Sequence, residues 1–199
     1  MTLARGTERI ESDRLILRRL GPGDLEFLVG LHADPEVARY LALGRPRTRE
    51  ESTAWLQSVL RNYEERELGQ LAVVRKTDGL VLGRCGLADL VVEARATVSS
   101  VPRGWYHRDE APPDAEIVEE RELGYTFDRA SWGHGYASEA ARCVFGYARD
   151  GLKLPRVVSV IHPENLRSLR LVQRFGLRRE DGIEVGSRLY DRFVWPMTA

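Results

Sequence analysis

A glycine turn between a predicted strand and a long predicted helix constrains this chain more than any other feature. The strand is ELGYTF at 122–127, the turn lies in SWGHGYASEA at 131–140, and the helix follows from about Gly135 to Arg149. Glycine lets the backbone approach a ligand closely. The first N–H groups of a helix have no partner inside it, and the helix dipole is positive there. The turn therefore predicts a site for a phosphate or pyrophosphate.

Two common phosphate-binding motifs do not fit this turn. A P-loop needs Gly-Lys-Ser/Thr, whereas Gly135 is followed by Tyr and Ala. A dinucleotide-binding turn needs a third glycine, where this chain has Ser138, and an acidic residue about 20 positions on, where it has Lys153-Leu-Pro. A plain strand-to-helix turn without a ligand remains an alternative at this point.

The first half of the chain alternates predicted strands and helices. Apolar spacing predicts a strand over 14–20 and a helix that carries Leu25, Leu28 and Leu31. Asp34-Pro35 predicts the start of a short helix, and Thr48 with Glu51 has the spacing of a capping box. Two strands at 71–76 and 80–87 flank a Thr-Asp-Gly hairpin turn.

The sequence of the second half predicts secondary-structure elements in the order β-α-β-α-β-β. They follow a segment whose secondary structure is hard to assign. The segment at about 90–120 is interpreted as a loop or hairpin insertion, and Gly151 is the expected stop of the long helix. A buried strand follows at 156–161, and Asn165 is expected to cap a helix that Gly176 ends. The final strands are expected at about 177–185 and 188–195. The pattern predicts an α/β or α+β fold with a mixed sheet.

The composition indicates a single globular domain and argues against several other classes of protein. The 199 residues suit one domain, 1–199, with the insertion at about 90–120, and 43% hydrophobic residues suffice for a core. Thirty basic and 30 acidic residues cancel, which argues against a nucleic-acid partner. Cys85 and Cys143 have no metal or redox spacing and are expected to be reduced. Without an apolar leader or membrane span, a cytoplasmic location is expected and no membrane partner.

The segment WGHGYA resembles the pyrophosphate loop of the GNAT superfamily of N-acetyltransferases, whose motif is Gln/Arg-x-x-Gly-x-Gly/Ala. Gly135 and Ala137 fill the last two named positions, and Trp132 replaces the usual Gln or Arg. The replacement resembles the branch of ribosomal-protein N-terminal acetyltransferases, as do ESDRLILRRLGPGDLEFL, ELGYTF and HPENLRSLRLVQRFGL. The resemblance implies a mixed, mostly antiparallel sheet with splayed central strands, flanked by about four helices.

The same resemblance implies acetyl-CoA as co-substrate and assigns binding residues to it. Backbone amides of Gly133, His134, Gly135, Tyr136, Ala137 and Ser138 should surround the pyrophosphate beside Trp132, so the side chains at His134 and Tyr136 could vary without loss of the site. The strand that holds Leu123 and Tyr125 should hydrogen-bond the pantetheine arm, with Asn165 on its other side. No metal is expected.

The resemblance also suggests catalytic groups. Glu122 is the expected base, with a structural carboxylate as the alternative, and backbone N–H groups from Leu123 to Thr126 would serve the oxyanion. Many relatives carry a tyrosine acid seven residues after the helix-capping Asn; this chain has Val172 there. Ser168 instead matches an Asn-x-x-Ser pattern and is expected near the sulfur. His162 could line the cleft, though a structural role is the more common one.

The acceptor is expected to be a primary amine, either on a small molecule or at a protein N-terminus. Segments 24–45 and 95–120 should shape its pocket. The second segment carries aromatic and acidic residues that either attract a cationic amine or form a solvated loop: Trp105, Tyr106, Asp109, Glu110, Asp114 and Glu116. A domain that binds acyl-CoA without turnover, and a transferase that uses succinyl-CoA, stay open as alternatives. A homodimer is possible.

Overall fold

The structure is a computed structural model that describes residues 9–66, 69–93, 103–106, 116–185 and 188–196. The chain divides into two compact units. The first comprises Met1–Ala88 and Leu123–Lys153, and the second comprises Asp89–Glu122 and Leu154–Ala199. Most of the segment 95–120 that is expected to shape the acceptor pocket, including Asp109, Glu110 and Asp114, lies outside the described residues.

An antiparallel sheet forms the base of the first unit. Its strands are β1 (Arg9–Glu11), β2 (Leu15–Arg19), β3 (Gln70–Arg75) and β4 (Val81–Glu93), and they pair in that order. Alternation along β2 places Leu15 and Leu17 in the core, where both are completely buried. The predicted hairpin between β3 and β4 is confirmed.

Three helices lie between β2 and β3 in the sequence, and local capping determines where two of them begin. They are α1 (Leu25–Ala33), α2 (Pro35–Ala38) and α3 (Arg49–Arg66). Asp34 Oδ1 accepts a 2.8 Å hydrogen bond from the N–H of Glu36 at the start of α2. Thr48 and Glu51 exchange side-chain-to-backbone bonds of 2.9 and 3.2 Å before α3, so the predicted capping box is confirmed.

The first unit also contains the second half of strand β6 (Ile117–Phe127) and helix α4 (Tyr136–Gly146). Strand β5 (Arg103–Tyr106), which precedes β6 in the sequence, belongs to the second unit. The helix continues as one π-helical turn, Tyr147–Gly151, in which the Leu152 N–H donates to the Tyr147 carbonyl at 3.0 Å. The helical segment ends at Gly151, as the sequence predicts. Lys153, two residues later, has φ 55° and lies in the left-handed region.

The second unit holds a mixed sheet in the order β4, β5, β8, β9, β7, β6, made of the end of β4, the start of β6 and four further strands. These are β5 (Arg103–Tyr106), β7 (Val158–Ile161), β8 (Arg178–Val185) and β9 (Arg188–Val194). β5 runs parallel to β8, and β6 meets β7 in parallel at a single register, Glu122 opposite Val158. Helix α5 (Leu166–Arg174) follows β7.

These elements confirm the expected fold class, a mixed and mostly antiparallel sheet flanked by helices. The hard-to-assign segment near 90–120 contains the last residues of β4, the short strand β5 and the first residues of β6. None of the helices in the described ranges combines the length and apolar character needed to cross a bilayer.

A buried charge network ties three strands of the second unit, and the segment before a fourth, together. Arg192 of β9 is only 2% exposed. Its guanidinium donates to Glu120 of β6 at 2.7 Å and to Asp181 of β8 at 2.7 and 3.0 Å. Arg156, just before β7, bonds Glu180 of β8 and lies 3.3 Å from Glu120. Because buried charges need partners, this network fixes how the strands align.

Replacement of Arg192 by Met should destabilise the protein by about 3–5 kcal/mol, since it removes the buried cation that Glu120 and Asp181 share. Urea unfolding measures the loss. Arg179→Met is the matched control, because Arg179 is mostly exposed where it pairs with Asp191. This variant should lose less than about 1 kcal/mol of stability.

The cost of Arg192→Met should shrink in acid. Hydrogen bonds from Arg156, together with the charges of Arg156 and Arg192, outweigh burial and hold the pKa of Glu180 below its ordinary value, so loss of Arg192 removes part of this effect. The stabilisation from such a carboxylate is present above its unfolded pKa, about 4, and is lost as the pH falls through the lowered folded value. An unchanged deficit between pH 7 and pH 3 would contradict this account.

Candidate functional site

The glycine turn before α4 has the backbone conformation that its sequence predicts. Gly133 and Gly135 both have φ 82°, and Gly135 is the N-cap residue of α4. A residue with a Cβ is destabilised by roughly 1–2 kcal/mol in this left-handed region, whereas glycine is not. A Cβ at Gly133 would meet no other atom within 4 Å, so that side of the turn is open.

The turn presents six consecutive backbone N–H groups, those of Gly133 to Ser138, which we call the donor row. Within the part of the chain that the structure describes, these N–H groups donate to no acceptor of the protein. The first helical bond of α4 is made by Glu139, whose N–H donates to the Gly135 carbonyl at 3.1 Å. Consecutive donors at a helix N-terminus form an anion-binding surface.

Trp132 and Tyr136 support the donor row from either side. The Trp132 indole Nε1 donates to the Phe127 carbonyl at 2.9 Å, which joins the turn to the end of β6. The Tyr136 ring is 8% exposed and stacks on His134 with 5.7 Å between centroids. His134 is exposed, whereas the Tyr136 side chain is part of the core.

Sequence reasoning missed two residues next to the donor row, Arg14 and Glu139. Glu139 lies in the first turn of α4 and accepts hydrogen bonds from Ser12 and Arg14 at 2.6 to 3.0 Å. Burial raises the pKa of Glu139, but these hydrogen bonds outweigh it and bring the pKa below its ordinary value. No local spacing relates residues so far apart in the sequence.

The predicted site residues fall into two sets, one in each unit. The first unit holds the strand residues Leu123 and Tyr125 together with the turn, residues 132–138. Leu123 is 1% exposed and Tyr125 is half-buried. Because Leu123 packs its side chain into the core, only its backbone is available to a ligand.

The second set comprises Glu122, Asn165 and Ser168. Glu122 is half-buried where β6 meets β7. Asn165 caps α5, since its Oδ1 accepts a 3.2 Å bond from the N–H of Ser168, and the capping prediction is confirmed. Ser168 is half-buried on the first turn of α5.

Two neighbouring positions have structural roles. Val172, which occupies the place of the tyrosine acid of many relatives, is 2% exposed and packs with Ile161 and Phe193. The His162 ring meets Tyr190 edge-on at 5.5 Å, and its Nδ1 accepts a bond from the N–H of Glu164. This favours the structural alternative for His162.

Two other potentially reactive side chains, those of His32 and Cys85, are buried and held in neutral states. Burial, and then the charges of Arg84 and Arg47, lower the pKa of His32 to about 3, so the ring is neutral beside Ser52. Burial raises the pKa of the free Cys85 thiol. Among the residues that the structure describes, no group of three His, Cys, Asp or Glu side chains is placed to hold a metal ion.

A family model described as the acetyltransferase (GNAT) domain matches residues 14–178. The chain belongs to the GNAT acetyltransferase family. This match covers both sets of site residues and includes the glycine turn with its donor row.

Individual relatives agree with this assignment. The chain is 25% identical over 171 residues to the uncharacterised N-acetyltransferase YoaA of Bacillus subtilis, covering 86% of this chain and 83% of the relative. It is 27% identical over 168 residues to the FsC-acetyl coenzyme A-N(2)-transacetylase of Aspergillus fumigatus, covering 84% and 64%. A candidate ribosomal-protein-serine acetyltransferase from Vibrio cholerae has the same fold, with a TM-score of 0.64, 18% identity and 98% of each chain covered.

GNAT domains use acetyl-CoA as co-substrate, and the turn suits its pyrophosphate. The donor row offers N–H groups without requiring a charged side chain, and the open space at Gly133 leaves room for a close approach. The residues present therefore fit this ligand.

Replacement of Gly133 by Ala tests the turn. Gly79→Ala is the matched control, because Gly79 has φ 72° and equally open surroundings in the β3–β4 hairpin. Both variants should lose roughly 1–2 kcal/mol of stability. Only Gly133→Ala should also weaken acetyl-CoA binding, by roughly tenfold in calorimetric titration, since its methyl group lies beside the donors. Equal affinity in the two variants would exclude the turn as the binding surface.

Proposed function

We propose that this enzyme transfers an acetyl group from acetyl-CoA to a primary amine by direct attack within a ternary complex. The observation that carries the proposal is the donor row at the start of α4. Such a row binds a pyrophosphate through the backbone. Family membership supplies the reaction class.

Each residue assigned to the acetyl donor has its own role in the proposal. The N–H groups of Gly133 to Ser138 bind the pyrophosphate, with Trp132 holding the turn against β6. The backbone of Leu123 and Tyr125 pairs with the pantetheine arm as a further strand would. Asn165 adds an amide contact to the same arm while it caps α5.

Proton transfer accompanies the reaction. The neutral amine nitrogen attacks the thioester carbon, a C–N bond forms, and the C–S bond breaks. Glu122 accepts the proton that the nitrogen loses, and backbone N–H groups of the Leu123–Thr126 segment stabilise the oxyanion. Ser168 donates a hydrogen bond to the departing sulfur, which is finally protonated to the thiol by way of solvent.

The immediate surroundings of Glu122 support its choice as base. Glu120 is engaged with Arg192 and Arg156 in the buried network, and Glu119 is exposed. Glu122 lies at the single register where β6 meets β7. With Val172 packed in the core, the tyrosine that serves many relatives as acid is replaced by an apolar side chain.

The acceptor is an amine of a small molecule or a protein N-terminus. One relative is named as an N(2)-transacetylase and one structural neighbour as a candidate ribosomal-protein-serine acetyltransferase. These names support both acceptor classes. The second of them favours the ribosomal-protein branch to which the turn was assigned by resemblance.

A thermal-shift titration with acetyl-CoA, CoA, succinyl-CoA and NAD tests the donor. A ligand that binds only the folded state adds roughly 2.7 kcal/mol at a hundredfold excess over Kd. We expect a clear shift with acetyl-CoA and none with NAD. A larger shift with succinyl-CoA would reassign the donor, and no shift with any CoA species would remove the proposed function.

Glu122→Gln tests the base, with Glu119→Gln as the matched control on the same strand. We expect kcat to fall by roughly 10²–10⁴ for Glu122→Gln, with loss of the acidic limb of the pH–rate profile and little change in acetyl-CoA affinity. A free-thiol assay over a panel of amines provides the rates. If the profile of Glu122→Gln matches that of the unmodified enzyme, another group accepts the proton.

A further inference from the structure

Arg14, at the start of β2, reaches the first turn of α4. Its backbone N–H donates to Glu139 Oε1 at 3.0 Å, and its Nε donates to Oε2 at 2.7 Å. Nη2 lies 2.6 Å from the same Oε2. Ser12 adds a 2.6 Å bond from its hydroxyl to Oε1. Both carboxylate oxygens of Glu139 are therefore held by the β1–β2 hairpin.

The same guanidinium also contacts the glycine turn. Arg14 Nη1 donates to the His134 carbonyl at 3.1 Å. The Cζ atom lies 4.7 Å from the centroid of the Tyr136 ring, in cation–π contact. A Cβ built at Gly135 would lie 3.5 Å from Nη2. One side chain thus reaches three consecutive residues of the donor row and Glu139, which follows the row.

The bond to His134 has a geometric consequence for the donor row. In a trans peptide unit the C=O and the following N–H point in opposite directions. Arg14, by holding the His134 carbonyl, therefore fixes the direction of the Gly135 N–H, which points away from the guanidinium. A glycine-flanked peptide has little other restraint, because glycine accepts both signs of φ.

The bond to Glu139 has an electrostatic consequence. Glu139 is an anion within one turn of the donor row, where its field opposes the binding of a second anion. Arg14 neutralises it, and the two hairpin residues keep the carboxylate turned toward β2. Without the Arg14 guanidinium the Glu139 carboxylate keeps an uncompensated charge, which competes with a pyrophosphate for the same positive helix end.

We propose that Arg14 and Glu139 form a clamp that positions the donor row for the pyrophosphate of acetyl-CoA. The inference rests on the proposed function. Arg14 is a positioning residue: it orients one peptide of the turn and cancels the charge of Glu139. Because the clamp acts on the binding of the pyrophosphate, it affects the affinity for CoA and leaves the affinity for free pantetheine unchanged.

The test compares ligands that differ in the pyrophosphate. Calorimetry measures acetyl-CoA binding, and displacement of acetyl-CoA measures pantetheine binding, for Arg14→Met, Glu139→Gln and the double variant. Arg14→Met should weaken acetyl-CoA binding roughly tenfold and leave pantetheine affinity unchanged. The double variant should regain part of this loss, because it lacks the uncompensated carboxylate. It should not regain all of it, because the His134 carbonyl stays free.

Arg49→Met is the matched control, since Arg49 forms a bidentate pair with Glu26 on the same unit away from the turn. It should leave both affinities unchanged. If Arg14→Met does not fold, Arg14→Lys replaces it in the test. Lysine keeps the positive charge but lacks the planar guanidinium with its several donors. The Lys variant should therefore lose acetyl-CoA affinity selectively, but less than Arg14→Met does.

Three outcomes would overturn the clamp: unchanged acetyl-CoA affinity in the Arg14 variants, equal loss for both ligands, or a double variant no better than Arg14→Met. Absence of acetyl-CoA binding by the unmodified enzyme would instead remove the proposed function. The two failures are therefore distinguishable.

Discussion

The backbone N–H groups of the donor row are the constraint on which the first unit depends. Such groups are costly unless they meet water or a ligand, so the turn must stay at the surface while its flanks are buried. Glycines at 133 and 135 permit the backbone path, Trp132 joins it to β6, and Tyr136 is packed beneath it. The proposed binding surface is main chain, and in this proposal the side chains around it hold its shape.

Charge pairs are used differently in the two units. The network around Arg192 is buried, where ion pairs give little net stability compared with apolar packing but penalise any arrangement that separates them. Its effect is to specify the register of the strands that it joins. The Arg14–Glu139 pair is partly exposed, so its contribution to stability is small. Its effect lies in where it holds a peptide group and a carboxylate.

Features set by neighbours in the sequence were predictable, and features set by distant residues were not. The capping box at Thr48, the cap at Asn165 and the glycine turn all follow from local hydrogen bonding and backbone conformation. The partners of Arg192 and Arg14 depend on pairings between segments far apart in the chain, for which spacing gives no signal. The roles of individual site residues came from family resemblance, because strand and helix periodicity do not specify chemistry.

The contact between the hairpin and α4 also bears on the order of events during synthesis. Arg14 and Glu139 are separated by 125 residues. At about 5–20 residues per second, the ribosome makes Glu139 roughly 6 to 25 seconds after Arg14. Strands β1 to β4 can pair with one another in that interval, since all of them precede α4. A nascent chain can therefore form its sheet hairpins before the glycine turn is made, and in any product that stops short of α4 Arg14 lacks its carboxylate partner.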